Sequence, residues 1–242
     1  TKVHRLIAEN VIHKKKHLLI EKPLAGSLEE SQKILSLANK EDIILAVGHV
    51  ERYNPVVSFV KTRLSNGEWG KLISTNSKRL SSFPARILDV GVVFDLFIHD
   101  IDIISHIVNS PISSLYAKSL KIKAANEDYA SLIISHDSGV ISNFETTWHS
   151  PVKKRSLQIL TTKFLIDIDY SNQSIILSRP GEDNFDSIEV PKKNPLKLEL
   201  LDFLESIVEN RLPLVSGHDG IEAVRYTEAA VYSSKKNKVI HF

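Results

Sequence analysis

A run of acidic and imidazole side chains between residues 95 and 106 is the strongest candidate in this sequence for a chemical site. Asp95, His99, Asp102 and His106 share an arc of roughly 60° if the segment is a helix with about 100° per residue. Most neighbouring positions are apolar, which indicates a buried helix whose polar stripe faces a cleft or a compensating network. A carboxylate one turn from a histidine can fix the imidazole tautomer and raise its basicity, as a general base requires.

Two other interpretations of this stripe stay open on the spacing alone. One is a core histidine that is satisfied by the adjacent aspartate, which is the more common origin of such a pattern. The other is a metal site, because His and Asp at i, i+4 and i+7 can converge on one ion. We expect no metal here, and a metal-dependent hydrolase is the least favoured interpretation.

A lysine follows the first buried strand of the chain, in the tripeptide Glu21-Lys22-Pro23. Such a lysine, fixed by the following proline, can extend its ammonium group into a crevice and orient a hydroxyl or carbonyl oxygen. The alternative is a surface lysine paired with Glu21. Gly48-His49 ends the next buried strand, so both segments fall at carboxyl ends of parallel strands, where ligands bind in such folds.

The segment Arg52-Tyr53-Asn54 follows a strand end and offers hydrogen-bonding groups to a polyhydroxylated ligand. It is equally plausible as a helix entry, with Asn54 as the cap and Pro55 at the first helical position.

The segment 148–155 combines aromatic and cationic side chains. An aromatic face beside cations suits a sugar or a phosphate, although an isolated charge run is more often a solvated strand end. The side chains concerned are Trp148, His149, Lys153, Lys154 and Arg155.

The pattern of elements divides the chain at about residue 50. Residues 17–47 have the spacing of strand, helix and strand, which is typical of a parallel βαβ unit. After Pro111, short strands alternate with turn signals, which indicates a mainly antiparallel sheet of hairpins, and two helices close the chain. We predict an α/β plus α+β fold. Residues 1–50 would be the tail of a parallel α/β domain, and residues 51–242 an α+β domain with a large open sheet flanked by helices.

The composition excludes several classes of protein. Among 242 residues, 31 Lys and Arg nearly balance 29 Asp and Glu, so no global basic field favours nucleic acid as a partner. The absence of cysteine excludes a disulfide scaffold and a thiolate metal site. The apolar runs are too short to cross a bilayer, and no charged-then-apolar leader opens the sequence. We expect a cytoplasmic chain with neither a membrane nor nucleic acid as its partner.

Taken in order, these motifs resemble the glucose–fructose oxidoreductase and inositol dehydrogenase family, the Gfo/Idh/MocA type. The resemblance runs over essentially the whole chain, and the ordered set is more specific than any one motif. It makes a catalytic His99 more plausible than a satisfied core histidine. The stretches 89–102 and 148–155 look closest to members that oxidise UDP-N-acetylglucosamine-type sugars at C3. The motifs are Glu21-Lys22-Pro23, Gly48-His49, Arg52-Tyr53-Asn54-Pro55 and Asp95-x-x-x-His99.

The resemblance implies a Rossmann-type domain that binds NAD or NADP, followed by a domain that binds substrate. The implied activity is an oxidoreductase that transfers a hydride from a carbon of a sugar or sugar nucleotide to nicotinamide. In this family the open sheet often packs against another subunit, so we expect a homo-oligomer, a dimer or a tetramer.

The resemblance also implies roles for individual residues. His99 would take the hydroxyl proton, Lys22 would orient that oxygen, and Asp95 would hold His99 or the substrate. The residues expected at the cofactor are Glu21, Lys22, Pro23, His49 and Arg52. Those expected at the substrate are Tyr53, Asn54, Asp95, Trp148, Lys153 and Arg155.

One departure from the family pattern leaves a second function open. Family members begin with a strand and a glycine-rich turn that seat the cofactor pyrophosphate, and no G-x-G-x-x-G occurs in this sequence. We therefore expect the chain by itself to bind the dinucleotide poorly. The competing hypothesis is a non-catalytic sugar-binding or assembly module derived from the same family.

Overall fold

The computed structural model describes residues 3–84, 90–182 and 184–242. Asp89, which opens one of the stretches compared above, lies outside the described residues.

The first part of the chain contains the predicted parallel βαβ unit. Its two strands pair in parallel from Leu18 opposite Leu45 to Glu21 opposite Gly48. Ser27 caps the intervening helix, because its side chain accepts a hydrogen bond from the Glu30 amide. The elements are α1 (His4–His13), β1 (Leu18–Glu21), α2 (Leu28–Lys40) and β2 (Leu45–Gly48).

A second, nine-stranded sheet forms most of the rest of the chain. Its order is β10-β9-β8-β7-β3-β6-β5-β4-β11, and every neighbouring pair is antiparallel except β3 and β6. The predicted Rossmann-type start and mainly antiparallel sheet are therefore confirmed. The strands are β3 (Leu72–Leu80), β4 (Ile112–Leu120), β5 (Tyr129–His136), β6 (Ile141–Thr147), β7 (Lys154–Thr161), β8 (Leu165–Asp169), β9 (Ser174–Ser178), β10 (Phe185–Ile188) and β11 (Ile240–His241).

Helices cover the inner face of this sheet and connect it to the parallel unit. The larger core joins apolar residues of these helices to the sheet, as where the Phe97 and Phe144 rings meet edge to face at 5.0 Å. The smaller core surrounds β1 and β2 and includes Val215, whose carbonyl accepts from the Val47 amide. The helices are α3 (Pro55–Ser65), α4 (Ile98–Val108), α5 (Pro195–Glu209) and α6 (Gly217–Lys236), with a 3₁₀ turn at Val50–Tyr53 and a π-helical turn at Val93–Phe97. The domain boundary predicted at residue 50 stays a prediction.

Two buried ion pairs fix the position of α4. The Arg79 guanidinium contacts both carboxylate oxygens of Asp100 at 2.9 to 3.1 Å, and both side chains are nearly inaccessible. Arg52 binds Asp102 in the same two-pronged way and also donates to Asp219 at 2.7 Å. Because an unpaired buried charge is costly, these pairs define how α4 sits against its neighbours.

The predicted polar stripe on one helix face is wrong in part. Asp95 lies in the π-helical turn, so the spacing from Asp95 to His99 does not follow 100° per residue. Asp102 faces Arg52 inside the protein and does not join His99 in a cleft.

One face of α5 carries a row of apolar side chains that lies at the surface. Asp202 anchors the helix, because it accepts hydrogen bonds from the Tyr53 hydroxyl at 2.8 Å and the Leu214 amide at 2.7 Å. The side chains left exposed are Leu196, Leu200, Leu204 and Val208.

The outer face of the large sheet carries exposed apolar side chains among polar ones. The expected pairing of this face with a second copy of the chain stays a prediction. The apolar side chains are Ile73, Ile133, Ile141, Leu160 and Ile176.

Replacing Arg79 by methionine should destabilise the fold strongly, because Asp100 would keep its buried charge without a partner. We expect the free energy of unfolding to fall by about 3 to 5 kcal/mol in urea denaturation. Lys78→Met is the control: the Lys78 side chain is 43% exposed, and its contact with Glu145 at 3.5 Å should contribute roughly 0 to 1 kcal/mol. Equal, small losses for both variants would contradict this role for Arg79.

Candidate active site

The candidate site lies where the two parallel strands end. Lys22 follows β1 directly, and His49 follows β2 directly. The π-helical turn and the start of α4 supply Asp95 and His99 from the second part of the chain. The fold thus brings together side chains that are more than seventy residues apart.

Lys22 and Asp95 form the central contact. The Lys22 ammonium donates to the Asp95 carbonyl oxygen at 2.7 Å and to its carboxylate Oδ1 at 3.0 Å. The side chains keep 17% and 15% of their accessible surface, so a ligand can still reach this partly buried pair. The contact fixes the direction of the Lys22 ammonium group, and within the described part of the chain it uses two of the three N–H groups, so the third can donate to a ligand oxygen.

Trp148 holds the other oxygen of the Asp95 carboxylate. Its indole Nε1 donates to Oδ2 at 3.3 Å, and the Trp148 side chain is buried. The contacts that the structure shows for the Asp95 carboxylate are with Lys22 and Trp148, and the expectation that Asp95 holds His99 or the substrate stays a prediction. Trp148 therefore acts on Lys22 through Asp95.

His99 is kept in its neutral form. Burial lowers its pKa well below the ordinary value, and the positive charges of Lys22 and Arg79 lower it further. Its Nδ1 is buried and has no hydrogen-bond partner among the described residues. A neutral imidazole with a free ring nitrogen can accept a proton.

A second buried imidazole stands next to this group. Both ring nitrogens of His49 are buried without a hydrogen-bond partner in the described part of the chain, and the residue is 1% exposed. Burial lowers its pKa, with smaller effects from the charges of Asp102, Arg52 and Lys22. Unpartnered buried polar atoms are costly, so these nitrogens are suited to receive a ligand or water.

Three residues expected to touch a ligand have structural partners instead. The Arg52 guanidinium is held by Asp102 and Asp219, which corrects its predicted place at the cofactor. Tyr53 and Asn54, expected at the substrate, are also buried. The Tyr53 hydroxyl donates to Asp202 and so anchors α5.

Asn54 has the helix-entry role that the sequence left as an alternative. Its side-chain oxygen accepts from the Val56 amide at 3.3 Å, and its amide group donates to the Tyr170 carbonyl at 3.0 Å. It therefore caps α3 and links that helix to the end of β8.

The other predicted binding residues lie around the strand ends. Glu21 is exposed, and its carboxylate lies against Gly48, where an added Cβ would stand 3.0 Å from Oε2. Pro23 is buried and its carbonyl accepts from a His4 ring nitrogen. Lys153 is exposed, whereas Arg155 is partly buried and donates to Glu51 at 3.1 Å.

Sequence reasoning missed the residues that support the site from behind. Glu51 accepts from both Arg79 and Arg155 and so joins the 3₁₀ turn to the large sheet. A signal was present for Asp100, because a charged residue among isoleucines on a buried helix demands an opposite charge. No local pattern identified Arg79 as that charge.

Within the described ranges, no three His, Asp or Glu side chains are arranged to hold a metal ion. The same residues form no helix that is both long and apolar enough to span a membrane.

Family models match two consecutive parts of the chain. Residues 1–49 match the model described as "Oxidoreductase family, NAD-binding Rossmann fold", and residues 57–166 match the C-terminal domain of the same GFO/IDH/MocA family. The chain belongs to the GFO/IDH/MocA oxidoreductase family.

Other members of the family are similar over nearly the whole chain. UDP-N-acetylglucosamine 3-dehydrogenase of Acidithiobacillus ferrooxidans is 24% identical over 239 residues, which are 96% of this chain and 74% of that protein. Myo-inositol 2-dehydrogenase of Thermotoga maritima is 23% identical over 243 residues, 93% of this chain and 72% of that protein.

A solved structure shows the same fold. The inositol dehydrogenase homolog of Azotobacter vinelandii, in complex with NADH and myo-inositol, matches with a TM-score of 0.90 at 14% identity. The match covers 100% of this chain and 76% of that one. At this identity the likeness concerns the fold alone.

Replacing Lys22 by methionine should raise the pKa of His99, because one of the positive charges that oppose imidazole protonation is removed. NMR titration of the His99 ring would measure the change. Lys33→Met is a matched control, since Lys33 is exposed and pairs with Glu29 on α2. A His99 pKa that stays the same or falls in Lys22→Met would contradict the proposed coupling.

Proposed function

We propose that this protein is an NAD(P)-dependent dehydrogenase that oxidises a hydroxyl group of a sugar or sugar nucleotide. The observation that carries the proposal is the Lys22–Asp95 contact beside the neutral His99, at the carboxyl ends of two parallel strands. Support also comes from the family and from the names of the similar proteins, which are dehydrogenases of a sugar nucleotide and of an inositol.

His99 acts as the general base for the hydroxyl proton. Its lowered pKa keeps the imidazole unprotonated at neutral pH, so the proton acceptor is ready when the substrate arrives. The buried position of Nδ1 limits the access of water, which would compete for the same nitrogen.

Lys22 orients the reacting oxygen and stabilises negative charge on it. The ammonium group is already fixed by the Asp95 carboxylate and carbonyl, so little reorganisation is needed when charge develops on the oxygen. Asp95 is a positioning residue in this account, and Trp148 keeps its carboxylate in place.

The residues present at the strand ends fit a nicotinamide cofactor. The His49 nitrogens have no partner among the residues that the structure describes, and the Glu21 carboxylate at Gly48 can accept hydrogen bonds from hydroxyl groups. When bound, NAD or NADP would supply the hydride acceptor. Glu21, Lys22, Pro23 and His49 are the residues of this chain that would hold it.

A UDP-N-acetylglucosamine-type sugar oxidised at C3 is the substrate that we propose. Its support is the similarity to the Acidithiobacillus enzyme of that name and the resemblance seen in the stretches 89–102 and 148–155. A non-catalytic sugar-binding or assembly module is the alternative outcome of the test below.

Replacing His99 by alanine should lower the turnover number by about 10² to 10⁴ fold, because the proton acceptor is lost. The affinity for the cofactor should stay nearly unchanged. The measurement is NADH or NADPH formation by the natural protein, with UDP-N-acetylglucosamine and with myo-inositol as substrates. Cofactor affinity is measured separately by calorimetry.

The exposed His13 on α1 provides the matched control, and His13→Ala should keep the activity. A loss of cofactor binding equal to the loss of turnover would contradict the role given to His99. Sugar binding by the wild type without any turnover would favour the binding module.

A further inference from the structure

A buried carboxylate that the proposed reaction does not use lies near the active site. Asp128 is fully buried and accepts hydrogen bonds from the backbone amides of Ile122, Lys123 and Ala124 at 2.7 to 2.9 Å. Although burial opposes its charge, these amides and the contact with His149 lower the pKa of Asp128 to about 2. Asp128 is therefore a fixed negative charge at neutral pH.

His149 is the side chain placed against this charge. Its Nε2 lies 3.0 Å from the Asp128 carboxylate, and its backbone amide donates to Thr147 Oγ1 at 3.0 Å. The side chain keeps 21% of its surface exposed. With Nε2 placed against the buried carboxylate, the opposite edge of the imidazole is left for a ligand.

The strand register puts His149 beside the segments before β7 and after β3. Leu80 is opposite both Thr147 and Lys154, so the three strands reach the same edge of the sheet together. Beyond this edge, Ser81 donates its amide to the Thr147 carbonyl, and Ser150 donates to the Ser81 carbonyl. His149 and the exposed Lys153 and Lys154 thus lie at one sheet edge.

Aromatic contacts connect this edge to the candidate active site. The Phe83 ring lies 6.3 Å from the His149 ring and 5.7 Å from the Trp148 ring. Trp148 in turn donates to the Asp95 carboxylate. Phe83 and Trp148 thus connect His149 to the Asp95 carboxylate that Lys22 contacts.

We propose that this edge is a subsite for a phosphate group of the substrate, with His149 as the residue that recognises it. The proposal rests on the proposed function and deepens it, because it separates phosphorylated substrates from free sugars. Arg155 donates to Glu51, so among the residues that the structure describes at this edge, His149, Lys153 and Lys154 are the side chains that we assign to an anion. When both of its nitrogens carry a proton, an imidazole with one nitrogen against a carboxylate donates its other N–H to a phosphate oxygen.

The test compares phosphorylated and unphosphorylated ligands in the natural protein and in His149→Gln. Calorimetry measures the affinity for UDP, pyrophosphate, N-acetylglucosamine 1-phosphate, N-acetylglucosamine and NAD. Glutamine keeps a donor for Asp128 but cannot become positively charged, and thermal unfolding shows whether the variant is folded.

We expect His149→Gln to lower the affinity for UDP and for N-acetylglucosamine 1-phosphate about tenfold, which corresponds to the loss of one charge-assisted contact. N-acetylglucosamine and NAD should bind as before. If His149→Gln weakens the binding of UDP and pyrophosphate but not of N-acetylglucosamine 1-phosphate, the subsite binds a diphosphate, and hence a sugar nucleotide. Lys118→Gln, an exposed change on β4, should alter none of these affinities.

Unchanged affinity for every phosphate compound in a folded His149→Gln variant would overturn the subsite. Equal weakening of N-acetylglucosamine and UDP would also overturn it, because it would mean a general structural effect. Failure of this subsite can be told apart from failure of the proposed function. If UDP binding depends on His149 but no sugar is oxidised, the proposed function fails and the subsite stands. If sugar is oxidised but UDP binding does not depend on His149, the subsite fails and the proposed function stands.

Discussion

Two buried arginine–aspartate pairs on α4 determine the rest of the structure. Arg79–Asp100 joins the helix to the large sheet, and Arg52–Asp102 joins it to the turn that follows β2. A buried charge without its partner strongly destabilises a fold. The four charges of these pairs are therefore matched in one arrangement of α4 against the large sheet and the turn after β2. That arrangement brings the start of α4 to the strand ends.

The chemistry of the candidate site follows from this placement. Lys22 comes from the parallel βαβ unit, while Asp95 and His99 come from the π-helical turn and the start of α4, which the two ion pairs hold in place. The positive charge of Arg79, needed for Asp100, also contributes to the low pKa of His99. The interactions that hold the fold together therefore also set the protonation state of the proposed base.

Local patterns predicted the elements, but distant partners decided the roles of several residues. The Asn54 cap and the βαβ spacing could be predicted, because each depends on neighbours in sequence. Arg52 was assigned to a ligand because its partner Asp219 lies 167 residues away. The spacing of the polar residues between 95 and 106 also gave no indication of the π-helical turn at Asp95. Consequently Lys22, Asp95 and His99 were predicted to meet, but the contacts of Asp95 were not.

The most direct test of the account is a crystal structure of the natural protein with reduced cofactor and a bound sugar substrate. The account predicts that one sugar hydroxyl oxygen lies within hydrogen-bond distance of both the Lys22 ammonium group and a His99 ring nitrogen. A sugar bound in the protein away from Lys22 and His99, with the cofactor in place, would contradict it.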